Sequence, residues 1–462
     1  MAKIKWIGFD MDHTLAQYNQ IRFERLAFKA ALEKFIEIGY PPELAKLEYN
    51  PSFLIRGLLV DVKRGNLLKV DCHKYVKTAF HGHKKLTKEQ RDQLYNQQSF
   101  KAESFKTVDT FFALSEMQMY AEIIDYMNSH PGVIRKSFEE VYLDVKHCID
   151  KSHSDGSIKH LVLMQPQLYI DKDKQLAATL KKLSEAGKKI FLLTNSLWDY
   201  TDAIMKHLLP KEKGMTSWRD YFDLVIVGGN KPNFFSGRQP FYKVLTESGS
   251  LRVTHGQLNP DDVYHGGNAH SLEKFLRVKG DEIAYVGDHI YGDIFHSKDK
   301  FNWRTILIIR ELEHELKSLN ALKKNLADIR KISLEREQLE EEHHQLAMAH
   351  LQSQSRSAHK KNDNPYKVRS LTIKQNKFRK ELEYFELKIA SCHEKIKSLM
   401  EKRSQTFHPL WGELLRTGME RSRFADQITE YACLYTSKVT NLLFYSPFKK
   451  FESHKDRLPH EI

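Results

Sequence analysis

The sequence predicts an α/β protein whose core is a parallel β-sheet, and three observations lead there. The apolar runs Ile4–Phe9, Lys189–Leu193, Phe222–Val227 and Ile283–Val286 are short and rich in β-branched and aromatic residues, as strands buried on both faces are. Helical periodicity lies between some of them. From Asp171 to Ala186, for example, Leu176, Leu180 and Leu183 share one face. Each run also ends in polar or glycine residues: Asp10, Thr194, Gly228-Gly229-Asn230-Lys231 and Gly287-Asp288. Alternation of strand, helix and strand implies a parallel sheet. Ligands of such sheets lie beyond the carboxyl ends of the strands. The polar clusters are therefore expected to converge on one site.

Residues 1–30 hold the first core strand and the loop after it. Residues 31–165 form a long α+β insert, expected as a cap over the site. It carries an expected hairpin, Phe53–Val60 against Leu67–Val70 with Gly65-Asn66 in the turn, and helical segments such as Phe111–Met127. Residues 166–311 return to the core. From 312 to 404 the texture becomes long and charged. Leu312, Leu316, Leu319, Leu322, Leu326 and Ile329 recur at three and four, as do Phe378, Leu382, Phe385, Ile389, Cys392, Ile396 and Leu399. With the polar stretch Ser353–Pro365 between them, these predict an antiparallel, coiled-coil-like helical hairpin. Residues 405–462 are expected as a helical segment packing on the core. The hairpin reads as an arm for packing or self-association, so a homo-oligomer, a dimer or tetramer, is expected. Its basic residues do not interleave with aromatic ones as stacking platforms require, so nucleic acid is not an expected partner.

Composition narrows the classes. Apolar residues make up 41% of the 462, enough to fill a core and to exclude wholesale disorder. Lys plus Arg is 73 against 60 Asp plus Glu, a formal +13 that suits anionic ligands. Lys and Glu interleave almost everywhere, so most of that charge solvates the surface. The four cysteines stand far apart without a Cys-x-x-Cys pair, which fits a reducing compartment. The start lacks an apolar signal core, and no run of eighteen apolar residues occurs. A cytoplasmic protein without a membrane span is expected.

The strand ends carry the chemistry. Asp10 and Asp12, two residues apart in Asp10-Met11-Asp12-His13-Thr14-Leu15, can share a Mg²⁺ and divide labour. One carboxylate can attack phosphorus to form an acyl phosphate. The other can protonate the leaving oxygen and then activate water. Thr194, Asn195 and Ser196 offer hydroxyl and amide donors for phosphate oxygens, and are also favoured helix caps. Lys231 can neutralise charge on a transferring phosphoryl group. Asp288 and Asp293, each preceded by Gly, supply hard oxygens suited to Mg²⁺. No P-loop, zincin or nucleophile-elbow motif competes.

These clusters, in this order, resemble the haloacid dehalogenase superfamily of aspartyl-phosphate phosphatases. Phe53–Asp71, Lys231-Pro232-Asn233-Phe234-Phe235 and Val286–Ile294 further resemble the cytosolic purine 5'-nucleotidases that prefer IMP and GMP. The similarity extends to Phe424-Ala425 and Asn441-Leu442-Leu443 and is weakest in the hairpin. It implies a Rossmann-like phosphatase core with an inserted cap and Mg²⁺ as cofactor. It also implies hydrolysis of purine nucleoside 5'-monophosphates through an aspartyl-phosphate, with phosphotransfer when a nucleoside enters ahead of water. Asp10 would be the nucleophile and a metal ligand. Asp12 would be the general acid/base and would bind metal through its backbone carbonyl. Asp288 would ligate the metal with Asp293 close by. Thr194, Asn195, Ser196 and Lys231 would hold phosphate. In the cap, Phe112 would stack on the purine, Asp150 would read the base edge, and His153 and Lys159 would complete the pocket. Lys146 stands where the family has Arg, so a point charge replaces a two-donor fork. Basic residues of a second, activating nucleotide site are replaced by Ser99 and Asp299. Two other readings stay open: a phosphatase of the same fold for another phosphomonoester, and a non-catalytic scaffold or nucleic-acid binder.

Overall fold

The computed structural model describes residues 1–96, 105–211, 214–246, 249–254, 258–358 and 365–451. Ser99 and residues 359–364 of the expected inter-helix stretch lie outside them. The chain divides into two compact units, residues 1–313 with 414–462, and residues 314–413.

The first unit is built on one large sheet. Its strands are β1 (Trp6–Phe9), β2 (Lys189–Leu193), β3 (Leu224–Val227), β4 (Phe241–Leu245), β5 (Ser250–Val253), β6 (Val263–Gly266), β7 (Ile283–Gly287), β8 (Arg304–Ile308) and β9 (Leu434–Thr436). The order is β5-β4-β6-β3-β2-β1-β7-β8-β9. All pairs from β6 to β9 are parallel, and β4 runs antiparallel to β5 and β6. The central strands are buried on both faces because side chains alternate across the sheet. Ile190 and Leu192 join one apolar cluster with Ile7, Phe9 and Val225. Phe191 and Leu193 join another with Ile226, Tyr285 and Trp303.

Between β1 and β2 runs the long insert. Helix α1 (Gln20–Glu37) starts where Asn19 accepts the Arg22 N–H. An antiparallel sheet follows, in the spatial order Lys84–Lys85, Val76–His81, Asn66–Val70, Leu58–Asp61, Lys106–Val108. The expected hairpin is present, with Gly65 at φ +67° in its turn, but its first strand starts at Leu58, not Phe53, and Asn66 already belongs to the second. Helices α2 (Phe112–Ser129), α3 (Phe138–Ser154) and α4 (Ser157–Met164) complete the insert. A reciprocal cap between Ser137 and Glu140 starts α3.

The helix expected over Asp171–Ala186 is shorter: α5 spans Leu176–Glu185. Asp171 is instead held in a two-residue strand against Gln17 and Tyr18, and Asp173 turns the chain by accepting the Gln175 N–H. Helix α6 (Trp198–Leu208) follows β2. Residues 405–462 are not simply helical. Their described residues include the end of the helix Pro365–Phe407, α7 (Arg423–Tyr431) and β9, which extends the main sheet along β8.

The second unit holds the helices Lys323–Ala358 and Pro365–Phe407. They run antiparallel, as the pairs Asn325–Leu399, Glu340–His393, His343–Glu386 and His350–Phe378 require. The expected seam is uneven: Leu322, Ile329 and Cys392 are buried, while Leu316 is half exposed. Among the described residues no helix is long and apolar enough to cross a membrane.

Candidate active site

The sheet order sets the carboxyl ends of β3, β2, β1 and β7 side by side. The polar clusters that follow these strands therefore share one rim, which is what brings their side chains together. Asp10 continues β1, its N–H donating to the Val286 carbonyl at 2.9 Å. The Lys231 ammonium donates to Asp10 Oδ1 (2.7 Å), Asp293 Oδ1 (2.6 Å) and the Tyr285 hydroxyl (2.7 Å). The Tyr285 hydroxyl in turn donates to the Leu193 carbonyl at 2.8 Å. Oxygens of Asp10, Asp288 and Asp293 lie within 4.8 Å of one another, and all three residues are buried. Gly287 makes room for this packing, because a Cβ there would sit 2.4 Å from Asp293 Oδ2.

Burial pushes the Asp10 carboxyl up to about 7, against the pull of Lys231 and with the charges of Asp293 and Asp12 adding to it. Burial likewise holds Asp288 well above the carboxylate range, helped by Asp293 and Asp10. Burial alone would lower the Lys231 ammonium, but Asp10 and Asp293 outweigh it and hold it well above its usual value. Lys231 neutralises one of three converging negative charges, and a divalent cation would neutralise the other two. An all-oxygen donor set suits Mg²⁺. The residues present thus fit the cofactor that the sequence implies.

A pH dependence follows. An acid whose folded value is raised takes up protons on folding, so its contribution is full below the unfolded value and is lost as pH rises through the folded one. For Asp10 that window runs from about 4 to about 7. With chelator present, the melting temperature is expected to fall between about pH 4 and about pH 7, and added Mg²⁺ is expected to restore it. A metal-free profile with the opposite slope, or one that Mg²⁺ leaves untouched, would contradict the reading.

Asp12 lies outside the cluster. The Tyr18 hydroxyl donates to its Oδ1 at 2.6 Å, and the Ser196 hydroxyl to its Oδ2 at 2.8 Å. Tyr18 in turn shares a hydrogen bond of 2.8 Å with Tyr200, and the Lys159 ammonium lies 5.3 Å from the Tyr200 ring centre. The carboxylate is thereby fixed by two hydroxyls and tied to the insert. Thr194 is fully buried, and its hydroxyl accepts the Ser196 N–H at 3.1 Å. Asn195 brackets the Lys231 backbone, accepting its N–H at 2.6 Å and donating to its carbonyl at 3.0 Å. None of these three caps α6, whose first turn begins after Leu197.

Phe112 is half buried beside the loop that follows β1. Its ring meets His13 edge-on at 4.7 Å and His153 at 5.4 Å. Each imidazole carries a buried Nε2 without a hydrogen-bond partner among the described residues. Burial keeps both rings neutral: His13 lies well below its usual value and His153 falls to about 4, with Lys159 adding to the effect there. Lys146 and Asp150 instead form an exposed pair at 3.4 Å. One turn beyond Phe112, Glu116 is buried, and burial raises it to about 7 against Lys146.

Several participants were not singled out from the sequence. Tyr285 hides in an apolar run, and Tyr18 follows the loop after β1 without a motif. Arg56 is fully buried, gripping Glu311 through two 2.7 Å bonds and donating to the Asp288 carbonyl at 3.3 Å. Its position inside Arg56-Gly57-Leu58 was the available clue.

Comparison with known proteins places the chain among relatives. The profile of the 5' nucleotidase family matches residues 1–462. A 5'-nucleotidase domain-containing protein of Dictyostelium discoideum is 30% identical over all of this chain and 73% of its own length. The 5'-nucleotidase domain-containing protein 2 of Rattus norvegicus and that of Homo sapiens are each 33% identical over 69% of this chain, covering 59% and 63% of their own lengths. The chain thus spans about three-fifths of the two mammalian relatives.

Proposed function

We propose that this chain, which belongs to the 5' nucleotidase family, hydrolyses purine nucleoside 5'-monophosphates, IMP and GMP foremost, through an aspartyl-phosphate on Asp10. The observation that carries the reading is the buried cluster of Asp10, Asp288 and Asp293 around the Lys231 ammonium. Asp10, Asp288 and Asp293 would hold Mg²⁺, with the Asp12 carbonyl as a further ligand, and the ion would screen the negative charge of the phosphate when bound. Asp10 attacks phosphorus as a carboxylate; the Lys231 charge opposes its desolvation and favours that form. Thr194, Asn195 and Ser196 line the phosphate side. Asp12 gives a proton to the leaving ribose oxygen and later takes one from water, held between Tyr18 and Ser196. A nucleoside in place of that water gives phosphotransfer.

The neighbourhood of Phe112 supports a planar base as substrate. Two neutral imidazoles with unspent nitrogens flank this ring, and buried polar atoms of that kind ordinarily find partners. Lys159, with Asp150 and Lys146 at the rim, completes the pocket in this reading. The helical hairpin serves assembly into a dimer or tetramer. A cytoplasmic location fits the unpaired Cys72, Cys148, Cys392 and Cys433.

The test is phosphate release from IMP, GMP, AMP, CMP and glucose 6-phosphate, with Mg²⁺ and with excess chelator. Mg²⁺-dependent release favouring IMP and GMP is expected. Phe112→Ala should weaken use of these two by roughly 1–3 kcal/mol, the range for one base stacked on one aromatic ring, and leave glucose 6-phosphate unaffected. Equal release from all substrates would keep the chemistry and discard the purine pocket. No release from any would favour a scaffold.

A further inference from the structure

We infer that Cys72, His73 and Glu420 form a binding site for a borderline-soft divalent cation, Zn²⁺ by its chemistry, separate from the carboxylate cluster. The backbone places these residues before any ion is considered. The strand Asn66–Val70 ends at Asp71, whose buried carboxylate accepts the N–H groups of His73 and Tyr75, each at 2.9 Å. The Asp71 N–H closes the same turn onto the Tyr75 carbonyl at 3.1 Å, and Lys74 adopts φ +69° within it. Across from this turn lies a small hairpin, Arg416–Thr417 against Glu420–Arg421. The two pieces are joined: Asp71 bridges Ser422 in antiparallel fashion, and the Cys72 N–H donates to the Arg421 carbonyl at 3.0 Å. Two segments far apart in sequence are thus held in register by main-chain bonds.

The side chains then converge. One ligand atom each of Cys72, His73 and Glu420 lies within 4.8 Å of the others. His73 Nε2 and Glu420 Oε2 are 3.5 Å apart. With metal–nitrogen and metal–oxygen bonds of about 2.0–2.2 Å, two corners of a tetrahedron stand about 3.3–3.6 Å apart. The observed separation is that of a tetrahedral edge, and the thiol sulfur lies within 4.8 Å of both atoms, in reach of a third corner. The fourth stays open to water, since His73 and Glu420 are exposed and Cys72 is half buried.

The donor set selects the ion. Thiolate, imidazole and carboxylate suit Zn²⁺, whereas Mg²⁺ demands hard oxygens. A thiolate and a carboxylate also balance a dication. A surface ion pair between His73 and Glu420 would explain two of the three groups, would add little to stability, and would leave the thiol beside it without a role. A bound ion would clip the insert to the C-terminal segment and stabilise the fold by mass action.

The test uses the full chain, saturated with Mg²⁺, and Co²⁺ as a spectroscopic stand-in for Zn²⁺. Wild type is expected to develop a thiolate-to-cobalt charge-transfer band in the near ultraviolet. The band should vanish in Cys72→Ser, weaken in His73→Asn, and persist in Cys433→Ser. Cobalt in the carboxylate cluster has no sulfur ligand and gives no such band, so the two sites are distinguished. Stoichiometric Zn²⁺ should raise the melting temperature of wild type and not that of Cys72→Ser. No band in wild type, a band retained in Cys72→Ser, or equal Zn²⁺ stabilisation of both proteins would overturn the inference.

Discussion

Asp10→Asn is expected to abolish turnover and leave the fold standing. An amide cannot attack phosphorus, and loss of a nucleophile that acts with its partners as a unit costs at least about 10³-fold in kcat. The structural consequence runs the other way. Three carboxylates crowd one buried region, and burial holds Asp10 at about 7, so removing one negative charge relieves repulsion. Lys231 keeps Asp293 and Tyr285 as partners. Without metal, the variant should therefore melt no lower than wild type, and above about pH 7 it should melt higher. Phosphate release and thermal unfolding measured on one preparation separate the two effects. Activity within about tenfold of wild type would mean that another group, or water itself, attacks phosphorus. Asp12→Asn gives the contrast: it should slow both proton transfers by about 10²–10⁴-fold while Asp10 can still attack.

How far the sequence foretold this depends on where each residue's information sits. The central strands were legible because burial on both faces forces an apolar run. Ser250–Val253 was not, since this edge strand is exposed throughout, and its short alternation of Leu251 and Val253 points to no core. Leu434–Thr436 is too short to have a period, and it joins the sheet only because β8 offers it a free edge. The polar strand ends were legible for the opposite reason: Asp10, Thr194, Lys231 and Asp288 interrupt apolar runs at the point where a parallel sheet presents its ligand side. Their neighbours were hidden. Tyr285 packs as an aromatic ring while its hydroxyl serves Lys231 and Leu193. Tyr18 turns back to Asp12 from six residues on, and Tyr200 meets the Tyr18 hydroxyl from 182 residues away, contacts that no local pattern encodes. In the insert, Lys146 and Asp150 stand on α3 as an exposed pair, whereas the more enclosed carboxylate beside Phe112 is Glu116, read from sequence as part of a helix and nothing more.

Lys231→Met is the most severe change that this arrangement allows, because Lys231 serves stability and chemistry together. Its ammonium, almost wholly buried, touches two carboxylates and the Tyr285 hydroxyl. Methionine fills similar space without charge or donors. It leaves Asp10, Asp288 and Asp293 facing one another, and removing one member of a buried pair costs about 3–5 kcal/mol through the charge left behind. The loss is conditional in a way that identifies its cause. The stranded acids can protonate, so the deficit relative to wild type should be greatest above about pH 7 and shrink towards pH 5, where burial already favours their neutral forms. Mg²⁺ should recover part of it, because a dication compensates the same charges. Turnover should not return with it, since the charge that Lys231 offers the transferring phosphoryl group has gone. Denaturant unfolding at the two pH values, with and without Mg²⁺, reads these terms separately. A deficit independent of both pH and metal would assign Lys231 to packing instead of charge balance, and would remove the electrostatic ground on which the proposed chemistry stands.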